Sequence, residues 1–361
     1  MFMSTKNTHN KLPAASAYEG TQLSLFQNFL CNSDDERDRL SNTIELWDGV
    51  PKYYVSRHKM RAMRSKDGNL PTLEREFEYR KRVFTITIQP ARIKTGKGKY
   101  QEFYPSAREE LVEDALRKIA AEQQQGFLDG QDSGAVFSLH MLRQELRLRG
   151  HAMSYEEVVE ALEIMSNCTI QIRPTDGKGG YQSPILTSLT WVTKERYRTD
   201  PKSRWVAYFS PLVTQSIKEL SYRQYDYQTM MMHTSQLSRW LHKRLAHHYT
   251  NASLQNPYRF KFSSVQRDSG LLEHGRPRDA IDALDDSLNE LKSHNVLITI
   301  QKEKRTGTRN KILDVLYTVI PNPRFIEHIK AANRRQAQGQ EVVGLGRESP
   351  RLQTGQSSRK W

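Results

Sequence analysis

Apolar and polar positions alternate along Tyr258-Arg-Phe260-Lys-Phe262, the pattern of a strand with one buried face. Ser263-x-x-Gln266 has the spacing of a capping box, which predicts a short helix ending at the His274-Gly275 turn. Arg276-Pro277 opens a second helix, because proline suits the first helical position, where no backbone N–H is needed. Ile281, Leu284, Leu288 and Leu291 recur at helical spacing and define its buried face. Val296–Ile300 reads as a strand, Lys302–Lys311 as a basic wing and Ile312–Ile320 as the returning strand. That order is a winged helix-turn-helix, a device for holding one helix outward, most often into a DNA major groove.

The same pattern occurs earlier. Phe137, Ser138 and Gly150 precede Phe262, Ser263 and Gly275 by 125 positions. Tyr155, Val158, Leu162 and Met165 precede Ile281, Leu284, Leu288 and Leu291 by 126, and Ile170 and Ile172 keep that offset to Val296 and Ile298. The expected fold class is therefore α+β, with two tandem winged-helix (helix-turn-helix) domains between disordered N- and C-terminal tails.

Elsewhere, Arg82 to Ile88 alternates as a strand. Ser106-x-x-Glu109 caps a helix to about Glu122, with Leu111, Ala115, Leu116 and Ile119 facing inward. Ser235–Tyr249 reads as a helix with Leu237, Trp240, Leu241 and Leu245 inside and Arg239, His242, Lys243 and His247 outside. Tyr222, Tyr225 and Tyr227 are expected to pack at the seam between the modules, and Cys168 to be a small buried hydrophobe. Phe325-Ile326-x-x-Ile329 begins a short helix, and the Gln-, Gly-, Arg- and Ser-rich end beyond about Asn333 reads as disordered. The resulting division is a tail over 1–50, a basic arm over 51–80, winged-helix domains over 81–225 and 226–325, and a short helix with a tail over 326–361.

Composition narrows the partner. A net charge of +14 and a pI near 9.6 favour a polyanion, nucleic acid first. Two cysteines, Cys31 and Cys168, give no metal spacing and no disulfide framework, which fits a reducing cytoplasm. No apolar run has membrane-spanning length, no secretory core opens the chain, and no Gly-x-x-x-x-Gly-Lys-Ser/Thr phosphate loop occurs, so no membrane partner and no cofactor are expected.

The candidate chemistry is DNA recognition. In the second module Arg276 and Arg278 stand at the helix end that enters a groove first. Arg can pair with guanine, while Asp279 and Asp282 can accept from cytosine. Lys302, Lys304, Arg305, Arg309 and Lys311 in the wing, with Arg239 and Lys243, supply phosphate contacts. The alternative is a set of surface ion pairs on an ordinary helix. In the first module the equivalent helix carries Glu156, Glu157, Glu160 and Glu163 and no basic residue, which repels phosphate and assigns that module mainly to protein contacts. The nearby basic run Lys194–Arg204 and the arm Arg57–Lys66 are either phosphate contacts or solvated charge.

Near the N-terminus, Gln22-Leu23-Ser24-Leu25-Phe26 has the pattern of peptides that dock on the bacterial polymerase sliding clamp. Leu23, Leu25 and Phe26 would fill an apolar pocket and the Gln22 amide would fix register; the alternative is a turn folding onto the protein's own surface. A strand-nicking enzyme built on Tyr249 is a further alternative. It is disfavoured because His247 and His248 are adjacent and point about 100° apart on a helix.

With its two winged helices over roughly residues 80–325 and the segment Gln22–Phe26, the chain resembles the replication initiators of iteron-containing plasmids, most closely the TrfA type. The resemblance implies binding of direct repeats in duplex origin DNA, chiefly by the C-terminal module, and opening of an adjacent AT-rich tract. It also implies recruitment of the sliding clamp, the host initiator DnaA and the helicase DnaB, a homodimer in equilibrium with monomer, copy-number control, and no catalytic site. A dimeric transcriptional repressor would use the same two modules but has no reason to hold a clamp.

Overall fold

The computed structural model describes residues 38–342 except 96–97, 122–125, 130–131, 178, 201, 220 and 309–311. Gln22, Leu23, Leu25, Phe26, Arg309, Lys311 and, of the expected terminal tails, residues 1–37 and 343–361 therefore lie outside the described residues.

Strand β1 (Leu40–Ile44) leads into helices α1 (Glu45–Gly49) and α2 (Arg57–Met63), then hairpins β2 (Leu73–Tyr79)–β3 (Arg82–Gln89) and β4 (Ala91–Lys94)–β5 (Tyr100–Phe103). Helix α3 (Ala107–Ala120) follows, opened by Ser106, which donates its backbone N–H and its hydroxyl to Glu109 at 2.8 and 2.6 Å. Next come β6 (Gly126–Asp129), β7 (Asp132–Ser138), helices α4 (Leu139–Leu148) and α5 (Tyr155–Asn167), and the hairpin β8 (Thr169–Pro174)–β9 (Tyr181–Ser183). The first half closes with β10 (Leu186–Thr190), α6 (Lys194–Thr199), β11 (Arg204–Phe209), α7 (Pro211–Lys218) and β12 (Tyr222–Asp226). The second half runs α8 (Tyr227–Met231), α9 (Gln236–His248), β13 (Tyr258–Lys261), α10 (Phe262–Ser269), α11 (Pro277–Ser293), β14 (Leu297–Thr306), β15 (Ile312–Pro321) and α12 (Pro323–Val342).

Both winged helices are present, but their sheets are built differently. In the second, the strand before the helix pair joins the wing in one antiparallel sheet, β13-β15-β14. In the first, β7 belongs to the sheet β10-β11-β7-β6, while the wing β8–β9 extends the β2–β3 hairpin. The shared part is the helix-turn-helix and the strand after it. Ile170 and Ile172 are buried, as is Val296, but Ile298 is 40% exposed. A register shift between Leu297 and Thr299 reverses the alternation there, so Leu297 takes the core position.

Several boundaries differ from those expected. Residues 40–50 are not a tail: β1 pairs with β12 along its length, and Trp47 is fully buried with its indole N–H 2.5 Å from Glu113 Oε1. Residues 51–80 are not an arm. Met60 of α2 is buried, Arg57 lies 2.8 Å from Glu109 and 3.2 Å from Glu160, Arg64 donates to the carbonyl of Glu102, and β2 is a strand of the first module's sheet. The C-terminal helix continues to Val342 and is tied back by Asn333 and Gln336, both accepting from Arg223, and by Asn333 donating to the carbonyl of Thr250. Tyr222, Tyr225 and Tyr227 are buried, and so is Cys168, as expected.

One continuous apolar core runs through both modules. Helix α3 lies inside it, with Leu111, Ala115, Leu116 and Ile119 buried and Glu110, Glu113, Asp114 and Arg117 buried as well. Its charged face meets α9, and there the expected orientation of α9 fails. Arg239, His242 and Lys243 are 2%, 2% and 4% exposed rather than facing solvent. Lys243 Nζ lies 2.8 and 2.6 Å from the two Asp114 oxygens and 3.5 Å from Glu110, and Arg239 donates to the carbonyls of His233 and Thr234. Burial works against the Lys243 ammonium, but Asp114 and Glu110 outweigh it and raise its pKa. Arg239 also lies 3.6 Å from Glu110, so both side chains face α3 and are withdrawn from solvent and phosphate.

Candidate nucleic-acid interface

The second helix-turn-helix is held at both ends of its first helix. Ser263-x-x-Gln266 does not form the expected capping box, because α10 starts two residues earlier, after Lys261. Asp314, from the wing strand β15, serves instead, accepting from the Ser263 N–H at 3.1 Å and its hydroxyl at 2.6 Å. Burial alone would raise the Asp314 pKa; the Ser263 donors and the Val315 N–H outweigh it and hold the carboxyl below its usual value. At the other end α10 stops at Gly270, not at Gly275. Gly270 has φ +68°, and a Cβ there would approach Tyr54 Cβ and Cγ to 2.9 Å. Arg75 donates to the α10 carbonyls of Gln266 and Arg267 at 2.8 and 3.2 Å, satisfying groups a helix end leaves open. Strand β2 and Tyr54 thus seat the second helix-turn-helix.

Helix α11 opens at Arg276 with Pro277 in the first turn, as expected, and buries Ile281, Leu284, Leu288 and Leu291. Its length is 17 residues against 13 for α5. In the register of the buried positions, the counterparts of its first turn are His151 to Ser154, which precede α5. The second module therefore has one extra helical turn at the end that points outward, and that turn carries the arginines. Arg276, Arg278, Asp279 and Asp282 are all exposed. Arg278 is 88% exposed in its side chain, and its Nε lies 3.8 Å from Asp282 Oδ2, a loose i,i+4 contact that water competes with.

The wing is less uniform than its charge suggests. Lys302 is paired with Asp285 on α11, and Asp285 also accepts from the Tyr317 hydroxyl at 2.8 Å. This clamps β14 and β15 against α11 and uses both Asp285 oxygens. Lys304 and Arg305 stand exposed further along β14. Sequence reading missed Asp285 and Asp314 as organisers of this surface, since each acts on a partner from another element; only their place near the wing offered a signal.

The first helix-turn-helix presents a different surface. Ser154 and Glu157 form a capping box, with Glu157 accepting the Ser154 N–H at 2.8 Å and Ser154 accepting the Glu157 N–H at 3.1 Å. Those bonds lower the Glu157 pKa. Glu160 lies 2.5 Å from Arg108 and 3.2 Å from Arg57, so part of the acidic face is neutralised by neighbouring elements. Glu156, Glu157 and Glu163 remain exposed, and Arg196, Arg198, Lys202 and Arg204 lie exposed after the wing of this module.

Tyr249 is poorly placed for strand nicking. It is 3% exposed, and its hydroxyl donates to the carbonyl of Asn256. His247 meets the Thr43 hydroxyl at 3.1 Å instead of pairing with His248 around a common point.

Together these features define a tandem winged-helix protein with one extended outward helix. No family model matches the chain, and no curated protein matches it. Among solved structures, one of domains 2 and 3 of RctB aligns with 76% of this chain and 97% of that one at 9% identity and a TM-score of 0.49. A second structure of RctB domains 2–3 covers 74% and 98% at 8% identity and a TM-score of 0.43. The Pi initiator protein in complex with iteron DNA covers 80% and 99% at 11% identity and a TM-score of 0.35. At these values the likenesses carry no argument about what this chain does. Among the described residues, no helix is long and apolar enough to cross a membrane.

Proposed function

We propose that this protein is a replication initiator that binds direct repeats in duplex origin DNA, with α11 as the base-reading element. The observation that carries the reading is the exposed first turn of α11, which brings Arg276 and Arg278 forward of everything its counterpart offers. Arg278 supplies a bidentate contact to guanine, Asp279 and Asp282 discriminate by accepting from cytosine, and Lys304 and Arg305, with Arg309 and Lys311 further along the basic run, neutralise phosphates. Asp285 and Lys302 keep the wing in register with α11. The first module contributes backbone and protein contacts, and with them a homodimer in equilibrium with monomer.

The origin reading, rather than a repressor, rests on Gln22, Leu23, Leu25 and Phe26 as a tethered ligand for the sliding clamp and on the resemblance to the TrfA type. Recruitment of DnaA and DnaB, copy-number control and a cytoplasmic location belong to the same proposal. Nothing in it requires ATP, because strain in the bound DNA can drive melting.

Footprinting on the DNA flanking the gene, at physiological salt, tests it. Evenly phased protection of short direct repeats beside an AT-rich tract is expected. A single inverted repeat over the promoter points to the repressor, and the absence of discrete protection overturns sequence-specific binding. Leu25→Ala with Phe26→Ala is expected to abolish clamp pull-down and leave DNA affinity intact.

A further inference from the structure

Behind the base-reading helix lies a cluster of histidines that DNA binding does not use. His233, in the turn between α8 and α9, is fully buried. Its Nδ1 lies 2.8 Å from Nδ1 of His294, the residue that ends α11, and its Nε2 lies 3.0 Å from Nδ1 of His242 on α9. Glu290, one turn before His294, completes the group: one ligand atom each from His233, Glu290 and His294 lies within 4.8 Å of the others.

We infer that His233, Glu290 and His294 bind a divalent transition-metal ion of the zinc type, which fastens the C-terminal end of α11 to the turn before α9. Two imidazoles and a carboxylate are a donor set that zinc takes, with remaining positions filled by water. The supporting shell is in place. The second nitrogen of His233 faces His242, an arrangement that fixes the ring and its tautomer. Glu290 is oriented by the Thr234 N–H and hydroxyl at 2.6 and 2.8 Å and by the Ser235 N–H at 3.2 Å. Glu290 and Ser293 also line a cleft of about 830 Å³, so the carboxylate side of the cluster borders open space.

Binding needs the ligand atoms to move both ways, because the group, up to 4.8 Å across, must also close toward tetrahedral spacing. With Zn–N bonds of about 2.05 Å, tetrahedral ligand nitrogens stand roughly 3.3 Å apart, so the 2.8 Å pair must part by about half an ångström. His294 ends its helix and is only half-buried, so it can move that far. The consequence is mechanical. Helix α9 is already fixed to α3 through Lys243 and Asp114, so the ion would complete a rigid path from the first module to the helix that presents Arg278.

The test uses the full chain, stripped with a chelator, dialysed and titrated with Zn²⁺ by calorimetry. One ion per chain is expected, with a rise in melting temperature, and His294→Ala and Glu290→Gln should each weaken binding on the order of tenfold or more. Equal binding by wild type and both variants would place the ions on other histidines and overturn the proposal, as would the absence of saturable binding. Should both variants fold poorly, zinc-edge X-ray absorption on the wild-type protein decides. Two imidazoles in the first coordination shell are expected, and a shell without imidazole overturns the proposal and leaves the cluster as a chain of hydrogen-bonded histidines.

Discussion

The two helix-turn-helix units share a buried face and differ at the exposed end. Val158, Leu162 and Met165 in α5 match Leu284, Leu288 and Leu291 in α11, all buried. Yet α5 begins four positions later in that register, spends Glu157 on its own cap and has Glu160 engaged by Arg57 and Arg108. Helix α11 begins a turn earlier and leaves Arg278 almost wholly in solvent. A repeat of apolar positions records a repeated packing problem. What each helix can recognise depends on how far it projects and on which charges its neighbours have already taken.

The largest expected effect separates charges that join the modules from those proposed to read DNA. Lys243→Met leaves Asp114 buried without its closest cation and should cost about 3–5 kcal/mol in urea unfolding. The salt dependence of DNA binding by the folded fraction should not change; a shallower salt slope would return Lys243 to the interface.

The turns come next. Gly270→Ala combines a left-handed backbone with a 2.9 Å approach to Tyr54 and should cost about 2 kcal/mol or more, whereas Gly150→Ala, at φ +86° with open space around it, should cost only about 1 kcal/mol of backbone strain. Equal losses would mean that the contact with Tyr54 relaxes freely.

Arg278→Ala should weaken the cognate site by about 1–3 kcal/mol and relax preference at one base pair, and Lys304→Ala should weaken all sequences alike and lower the salt slope by about one. Measured by competition binding, uniform weakening by Arg278→Ala would demote that residue to a phosphate contact and erase the contrast between the helices.

The smallest effect concerns the caps. Asp314→Ala and Ser154→Ala should each cost about 1 kcal/mol. Glu157 and Asp314 both have lowered pKa values, so their contribution is fully present above the usual carboxylate range near pH 4 and is lost as pH falls through the depressed values. Acid titration of stability in Asp314→Asn should be flatter than in wild type below about pH 4; an unchanged profile would remove Asp314 from the cap.

Much of this molecule was legible along the chain. The periods of apolar residues placed both helix pairs and the wing strands, and the Ser-x-x-Glu spacing placed the Ser106 cap, because burial of a face and a cap across one turn are local properties. The net charge pointed to a polyanion for the same reason, as a sum that needs no coordinates. The fate of individual charges was not legible. Arg239 and Lys243 have the spacing of an outer face, and only the packing of α9 on the charged side of α3 turned that face inward. Asp314 reached Ser263 across the sheet and displaced a capping box that its spacing alone supported, and a shift in the β14 register exposed Ile298. Local pattern fixes which residues must leave water; which distant partner then meets each polar group is settled only when the elements pack.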